Sequence, residues 1–247
     1  NLDYNKNTYE ISFSMKYNRY IISFDIYDKY IVMGGDKFLK IWTIEEKENN
    51  NTNNNNIKTD KEFNQHFNIN KYNIDTGKLK EKTFSVAKIN GNKIFILSKD
   101  GHLIELDNSL KEISRWVNLK TEKALSLTIF QDNLICACSD GIIRIFNSGT
   151  LQYKSTLHRP PPLGKANIDS NTKKINISVT NEEKFADVIF LLFNPFHEKL
   201  ISLYSDKTFF IWDLRKPEKI FVYRYNTFHS GSINNMDVYV NNKENVV

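Results

Sequence analysis

Two cysteines and five histidines are the residues of this chain best suited to metal binding or nucleophilic catalysis. Cys136 and Cys138 lie two positions apart, a spacing that places both side chains on one face of a strand. A tetrahedral zinc site would need two further thiol or imidazole ligands, and the sequence contains no second cysteine pair. We therefore interpret the two cysteines as buried structural thiols and expect no metal site.

The histidines do not form a catalytic motif. They are spread over turns and insertions, at His66, His102, His158, His197 and His229. The sequence has no His-Glu-x-x-His, no phosphate-binding glycine loop and no Gly-x-Ser-x-Gly. Paired carboxylates such as Glu45–Glu46 are typical of solvated loops. We expect no catalytic residue, no cofactor and no metal, and hence a protein that acts by binding.

The composition indicates a globular protein rich in strands. Of the 247 residues, 40% are hydrophobic, 26% are charged and 13% are aromatic, and aromatic residues favour strands. The net charge of +5 comes from scattered lysines, so we expect no nucleic-acid surface. No run approaches the ~20 apolar residues that cross a membrane. The low number of cysteines and the absence of a signal pattern predict a cytoplasmic protein. The start at Asn1, without Met, suggests an excerpt of a longer chain.

The stretch at 201–214 contains the unit that the chain repeats. It reads ISLYSDKTFFIWDL, two apolar runs joined by a polar turn, and an isolated hairpin of this kind needs neighbours to be stable. An Asp stands six positions before a large residue in four places: Asp36 and Trp42, Asp100 and Leu106, Asp140 and Phe146, and Asp206 and Trp212. We expect each Asp to accept hydrogen bonds from N–H groups of the turn, and each large residue to pack between adjacent units.

The spacing of these units is similar to that of the WD repeat, a four-stranded blade of a β-propeller. Leu106 and Phe146 are 40 positions apart, within the WD period of about 40–45 residues. The other intervals are lengthened by insertions at 46–75 and 158–186, of which the first is rich in Asn and expected to be disordered. The resemblance predicts an all-β fold, a portion of a seven-bladed propeller. Its expected units are four complete blades at about 20–45, 83–119, 124–157 and 186–225, and a partial blade at 228–247.

The hydrogen-bonded set of intact WD repeats is incomplete in this sequence. In such repeats a His, the turn Asp, a Ser or Thr and the Trp bond to one another. Only His229 stands in the His position, and it belongs to the predicted partial blade. Leu106 and Phe146 lack the N–H that an indole would donate. We expect these blades to depend on packing more than on that network.

Several stretches resemble the mitogen-activated-protein-kinase-binding protein family more closely than the generic repeat. They lie at 30–42, 114–119, 134–146, 151–160, 186–195 and 211–214. The most specific is LHRP at 157–160 with the long connection that follows. The resemblance implies a non-enzymatic scaffold that gathers kinase-cascade components, with some family members at spindle poles or centrosomes. The Asn-rich insertion is foreign to the family, and its kinase-docking segments, which lie beyond the propellers, are not in this sequence.

The best candidate for partner binding is the run Arg159, Pro160, Pro161 and Pro162. Consecutive prolines favour an extended helix that aromatic grooves of partner domains recognise. The alternative is that this run packs along a blade edge and directs the crossover. The expected partners are other proteins, kinases among them, and not nucleic acid, membrane or small molecules. Alternative functions are a ubiquitin-ligase adaptor or a spindle or microtubule factor.

Overall fold

The computed structural model describes most of the chain and is almost entirely β within the part it describes. The described residues are 20–46, 67–106, 112–157, 159, 165–168, 175–178, 185–195, 197–215, 224–226 and the single residues 231, 233 and 236. One 3-10 helix, Gly77–Leu79, is the helical element among them.

Four antiparallel four-stranded sheets, numbered here as blades 1 to 4, contain sixteen of the strands in chain order. Blade 1 consists of β1 (Ile21–Tyr27), β2 (Tyr30–Gly35), β3 (Phe38–Glu46) and β4 (Phe67–Asn73). Blade 2 consists of β5 (Phe84–Asn90), β6 (Lys93–Ser98), β7 (His102–Leu106) and β8 (Ile113–Asn118). Blade 3 consists of β9 (Ala124–Phe130), β10 (Asn133–Cys138), β11 (Ile143–Asn147) and β12 (Tyr153–Leu157). Blade 4 consists of β15 (Val188–Asn194), β16 (Lys199–Tyr204), β17 (Thr208–Asp213) and β18 (Arg224–Asn226). The predicted all-β architecture of four four-stranded blades is confirmed.

The first strands of the four blades share one register. β1, β5, β9 and β15 each have seven residues and pair with their second strands through the same offsets, with a bulge after the first residue. Positions along these strands are therefore equivalent from blade to blade. β1 contacts β5, β5 contacts β9 and β9 contacts β15, so the first strands form a row. At the first junction the backbone N–H of Ile89 donates to Asp25, over 3.0 Å.

An apolar core fills the space between each pair of neighbouring blades. Each core combines second- and third-strand residues of one blade with first-strand residues of the next. Representative pairs are Val32 with Ala87, Leu97 with Leu127 and Ile135 with Leu191. Burying one such side chain fully is worth about 1.5–3 kcal/mol, so these cores, more than isolated polar contacts, hold the row together.

The expectation of a disordered segment over 46–75 is wrong for its last third. β4 pairs with β3 from Glu46 opposite Phe67 to Lys40 opposite Asn73. Ile69 of this strand packs against an apolar cluster of blade 1, and Tyr72 packs against the core between blades 1 and 2. These two apolar residues are three positions apart and pack on opposite faces of the strand, and the neighbouring asparagines obscure their signal in the sequence. The predicted end of blade 1 at residue 45 is therefore too early, and residues 47–66 lie outside the described residues.

Two other predicted regions are described only in part. The insertion at 158–186 contains a hairpin of β13 (Lys165–Ile168) and β14 (Ile175–Ser178), paired from Lys165 opposite Ser178 to Ile168 opposite Ile175. The predicted partial blade at 228–247, including His229, lies outside the described residues apart from positions 231, 233 and 236.

Candidate protein-binding surface

The turn between the second and third strands has the same backbone feature in every blade. The residue after the repeated Asp adopts a left-handed conformation in all four, with φ of 56° at Lys37, 86° at Gly101, 69° at Gly141 and 68° at Lys207. Glycine adopts this conformation without steric cost, whereas the two lysines do not. The Asp-to-large-residue spacing thus marks one structural turn followed by one strand.

The Asp of blade 4 caps its own turn, whereas the Asp of blade 1 reaches the next blade. Asp206 Oδ1 accepts hydrogen bonds from the backbone N–H of Thr208 over 3.0 Å and from its hydroxyl over 2.6 Å. Asp36 Oδ1 instead accepts from the hydroxyl of Thr83, over 2.8 Å. Since Thr83 immediately precedes β5, this bond ties the turn of blade 1 to the entrance of blade 2.

The Asp of blade 2 is the centre of a side-chain cluster. The hydroxyl of Ser98 donates to Asp100 Oδ1 over 2.7 Å, and His102 Nδ1 lies 3.3 Å from the same oxygen. Lys82 Nζ binds the other carboxylate oxygen. Partial burial opposes ionisation of Asp100, but the hydrogen bonds from Lys82, Ser98 and His102 outweigh it and bring its pKa to about 2. Asp100 is therefore an ionised group that stabilises the turn.

The Asp of blade 3 holds both ends of the insertion at 158–186. Arg159 Nη2 lies 2.8 Å from Asp140 Oδ2, and its guanidinium carbon lies 4.8 Å from the centroid of the Phe185 ring. The backbone N–H of Asp140 donates to Asp187 Oδ1 over 2.9 Å. A residue at the start of the insertion and residues at its end therefore meet at one turn. We call Asp140, Arg159 and Phe185 the clasp.

The clasp bears on the proposed proline-rich binding run. Arg159 is engaged by Asp140 and Phe185, which agrees with the alternative that the start of the run packs against a blade. Residues 160–162 lie outside the described residues, so partner recognition by the prolines stays a prediction.

Backbone hydrogen bonds connect the turns into one continuous surface. In blades 2, 3 and 4 a turn N–H donates to the carbonyl of the residue before the first strand: Lys99 to Thr83 over 2.8 Å, Ser139 to Lys123 over 2.9 Å and Ser205 to Asp187 over 2.8 Å. Further bonds cross between blades, from Lys37 N–H to the Lys82 carbonyl over 3.1 Å and from Ala124 N–H to the Lys99 carbonyl over 2.8 Å. We call the surface formed by these turns and connections the turn face.

The turn face carries a shallow cleft of mixed charge. Its volume is about 360 Å³, and its lining consists of Glu81, Lys82, Thr83, Lys99, Asp100, Glu122 and Lys123. A second cleft, of about 430 Å³, lies at the opposite end of the first strands and includes Tyr27, Asn90 and Gln131. Open clefts lined by charges of both signs are better suited to binding a polypeptide surface than to enclosing a small apolar ligand.

The large residues of the repeat do not lie on the turn face; they are buried in apolar cores of the blades. Leu106, Phe146 and Trp212 are buried in the first, second and third inter-blade cores, respectively. Trp42 packs in a cluster of blade 1 residues. The indole N–H of Trp212 donates to the hydroxyl of buried Ser202 over 2.7 Å. These positions are therefore occupied by packing groups.

The cysteines are buried in the second inter-blade core, on β10. Burial raises the pKa of Cys138 to about 11 and that of Cys136 well above its usual value. Among the described residues, no group of three or more His, Cys, Asp or Glu side chains is arranged to hold a metal ion. In the same part of the chain, no helix has the length and apolarity needed to cross a membrane.

Sequence reasoning missed the residues that connect the turns to their neighbours. The bonds of Thr83 and Asp187 each join residues 47 positions apart in the chain, and Phe185 lies in a long insertion. Local sequence patterns therefore give no signal for these contacts. The Ser98-x-Asp100-x-His102 spacing was a usable signal, because alternate residues around a tight turn project to one side.

Comparison with known proteins supports the β-propeller fold and finds relatives among proteins with WD repeats. No established family profile matches the chain. Over 224 residues, 88% of the chain, it is 28% identical to mitogen-activated protein kinase-binding protein 1 of Mus musculus. The chain resembles the mitogen-activated-protein-kinase-binding proteins. Over 145 residues, 59% of the chain, it is 30% identical to WD repeat-containing protein 62 of Sus scrofa. The alignments span only 14% and 9% of these relatives.

Together with the four blades, these relatives establish a WD-repeat propeller fold. A solved structure with a similar fold is the computationally designed Ika4 protein, with a TM-score of 0.51, 13% identity, and coverage of 83% of this chain and 98% of the other. At that identity the similarity concerns the fold alone.

Proposed function

We propose that the chain is a non-enzymatic scaffold for protein–protein interaction that organises components of a mitogen-activated protein kinase cascade. The observation that carries this proposal is the alignment of 88% of the chain with a protein named for binding such a kinase. The turn face supports it physically. Its backbone hydrogen bonds fix the turns before any partner arrives, and a preorganised surface loses less entropy on binding.

The charges of the turn face favour a polypeptide partner with both acidic and basic residues. Lys99 and Lys123 line the cleft beside Glu81 and Glu122. Charge complementarity across such an interface contributes specificity and association rate more than affinity. A folded kinase domain or a mixed-charge peptide meets this requirement.

The proposal assigns a structural role, and not catalysis, to the carboxylates with lowered pKa values. The pKa of Asp213 is lowered, first by hydrogen bonds from Arg215 and then by Lys199. Asp100 is similarly engaged by Lys82 and its turn neighbours. Carboxylates held in this way act as structural anions, because their partners keep them ionised.

A direct binding assay tests the scaffold proposal. The purified 247-residue chain is immobilised and exposed to recombinant kinases from each tier of a cascade, and we expect at least one to bind with a Kd of about 10 μM or tighter. Combined Lys99→Glu and Lys123→Glu changes should weaken that binding by about tenfold. Lys154→Glu, on the exposed outer strand of blade 3, is the matched control and should leave it unchanged.

The outcomes separate the parts of the proposal. Binding that survives the Lys99 and Lys123 changes would reject the turn face as the binding surface. If no kinase binds while ubiquitin-ligase or microtubule proteins are enriched from an extract of the source cells, the kinase-cascade assignment is wrong.

The proline run is tested separately. If a proline-binding domain recognises this run, that domain should capture the unaltered chain. The double change Pro161→Ala and Pro162→Ala should then abolish the capture without unfolding the chain. Pro195→Ala, in the exposed turn after β15, is the control. Undiminished capture by the double variant would exclude the run as a binding motif.

The proposed location is the cytoplasm, with spindle poles or centrosomes implied by the family resemblance. Imaging of the tagged protein in dividing cells tests it. A distribution without enrichment at spindle poles would remove that part of the proposal and leave the binding assays unaffected.

A further inference from the structure

The first strand of each blade lies at the edge of its sheet, so alternate N–H groups along it point away from the second strand. Two of these edge groups have an acceptor from the preceding blade. The N–H of Ile89 on β5 donates to Asp25 Oδ2 of blade 1 over 3.0 Å. The N–H of Leu191 on β15 donates to the Ser126 hydroxyl of blade 3, also over 3.0 Å. A polar side chain of one blade thus satisfies the edge of the next.

The junction between blades 2 and 3 lacks the carboxylate that serves the junction between blades 1 and 2. In the shared register of the first strands, Lys88 of β5 is equivalent to Asp25 of β1. Ile129 of β9 is equivalent to Ile89 of β5. A lysine side chain has only donors and cannot accept a hydrogen bond. Within the part of the chain that the structure describes, the N–H of Ile129 is therefore left without the acceptor that its equivalent has.

Lys88 and Ile129 both line the second cleft, whose volume is about 430 Å³. We call it the strand-end cleft. Its lining also includes Thr128, Asn90 and Gln131. These three residues carry a hydroxyl and two amides, which can donate further hydrogen bonds to an acceptor in the cleft.

The ammonium of Lys88 has capacity for a second partner. Its Nζ lies 3.6 Å from Asp25 Oδ1, which is longer than a hydrogen bond, and its side chain is 42% exposed. A lysine ammonium has three donors, so this single loose contact leaves donors for another anion. The strand-end cleft therefore combines a cation and an edge N–H, and both groups favour a negatively charged acceptor.

We propose that the strand-end cleft binds the carboxylate of an Asp or Glu side chain from an extended acidic peptide. The carboxylate accepts a hydrogen bond from the Ile129 N–H and pairs with the Lys88 ammonium. Asp25 is the internal example of this arrangement, because its carboxylate accepts the N–H of Ile89 and lies beside the same ammonium. The ligand thus supplies at the second junction the group that the chain itself supplies at the first.

The charges of the strand-end cleft favour a carboxylate over a dianion such as phosphate. Asp25 places one negative charge beside Lys88, so a ligand with two negative charges would meet more repulsion than a ligand with one. A cleft of this size accommodates a short segment of peptide. Because it lies at the opposite end of the first strands from the turn face, this inference is independent of the proposed kinase binding.

Nuclear magnetic resonance of the isotope-labelled 247-residue chain tests the proposal. The probe is acetyl-Gly-Glu-Gly-amide, and acetyl-Gly-Gln-Gly-amide is its uncharged match. We expect the Glu peptide to shift the backbone amide resonance of Ile129 saturably, with a Kd of about 1 mM, and the Gln peptide to bind at least about tenfold more weakly. Equal binding of the two peptides would overturn the proposal. Tighter binding of inorganic phosphate than of the Glu peptide would also overturn it, by identifying a general anion site.

Substitutions of Lys88 test the assignment of the ligand groups. Lys88→Met removes the cation and should weaken binding of the Glu peptide by about tenfold. Lys71→Met, which removes an exposed lysine from the outer strand of blade 1, is the matched control and should leave binding unchanged. Equal effects of the two changes would overturn the proposed site. Lys88→Asp should abolish binding, because it reproduces the junction of blades 1 and 2 with a carboxylate of the chain itself.

Hydrogen exchange provides a readout that does not depend on any peptide. In Lys88→Asp the new carboxylate accepts the Ile129 N–H, and exchange of that amide should slow by about tenfold. Asp25→Ala is the converse control and should speed exchange at Ile89 while leaving Ile129 unchanged. If Asp25→Ala speeds exchange at Ile89 but Lys88→Asp does not slow it at Ile129, the two junctions are not equivalent and the proposal is wrong.

Discussion

Arg159 Nη2 lies 2.8 Å from Asp140 Oδ2, and this pair joins the start of a long insertion to the turn of blade 3. Phe185, from the end of the same insertion, lies under the guanidinium at 4.8 Å. The clasp therefore determines where the chain leaves blade 3 and where it approaches blade 4. The insertion, which carries the proline run, is held at its base by one Asp of the repeat and by two side chains, Arg159 and Phe185, that the repeat pattern does not contain.

The clasp predicts energetic coupling between Asp140 and Arg159. Because both side chains are partly exposed, Arg159→Ala and Asp140→Asn should each lower the free energy of unfolding by about 0.5–1 kcal/mol, measured by urea denaturation. Their effects should be less than additive, since either change removes the same contact. Phe185→Leu keeps the apolar contact and should cost about 0.5 kcal/mol through loss of the cation–π interaction. Strict additivity of the two polar variants would exclude the coupling.

Gly141 predicts a packing effect that can be separated from backbone strain. Its φ is 69°, and a Cβ there would lie 3.2 Å from Phe185 Cβ, whereas Gly91, with φ of 57°, has nothing within 4 Å of the same position. Gly91→Ala should therefore cost about 1 kcal/mol from backbone strain alone. Gly141→Ala should cost about 1 kcal/mol more, because Phe185 must shift. Equal losses in thermal denaturation would show that Phe185 does not constrain the turn.

How far the sequence predicts this structure depends on whether a contact is local. The Asp-to-large-residue spacing identified all four turns, because the turn and its following strand are contiguous and the left-handed residue always follows the Asp. β4 was missed, since only the three apolar residues Phe67, Ile69 and Tyr72 distinguish it from its Asn-rich surroundings, and they do not follow a regular alternation. The clasp was beyond prediction, because Arg159 and Phe185 lie at the two ends of a long insertion and no local pattern connects them.

The burial of Trp212 predicts a stability contribution that exposed tryptophan lacks. Its N–H donates to Ser202, which is fully buried, so Trp212→Phe leaves a buried hydroxyl without that partner and opens a cavity. We expect a loss of about 2–3 kcal/mol in the free energy of unfolding. Trp116→Phe, on the exposed outer strand of blade 2, is the matched control and should cost less than about 0.5 kcal/mol. Circular dichroism during urea denaturation measures both, and similar losses would refute the role of the Trp212 bond.

The lowered pKa of Asp100 predicts an acid-sensitive contribution to stability. Since its folded-state pKa is about 2, below the ordinary value of 3.8, the contribution is fully present above about pH 4 and is lost as the pH falls towards 2. The carboxylate is 41% exposed, so solvent screening limits the contribution to the order of 1 kcal/mol. Asp100→Asn should flatten the decline in unfolding free energy between pH 5 and pH 2.5 by about that amount. Lys82→Met removes one cause of the lowered pKa and should flatten the decline in part. A pH profile of unfolding free energy that is unchanged in both variants would show that the cluster does not hold Asp100 ionised.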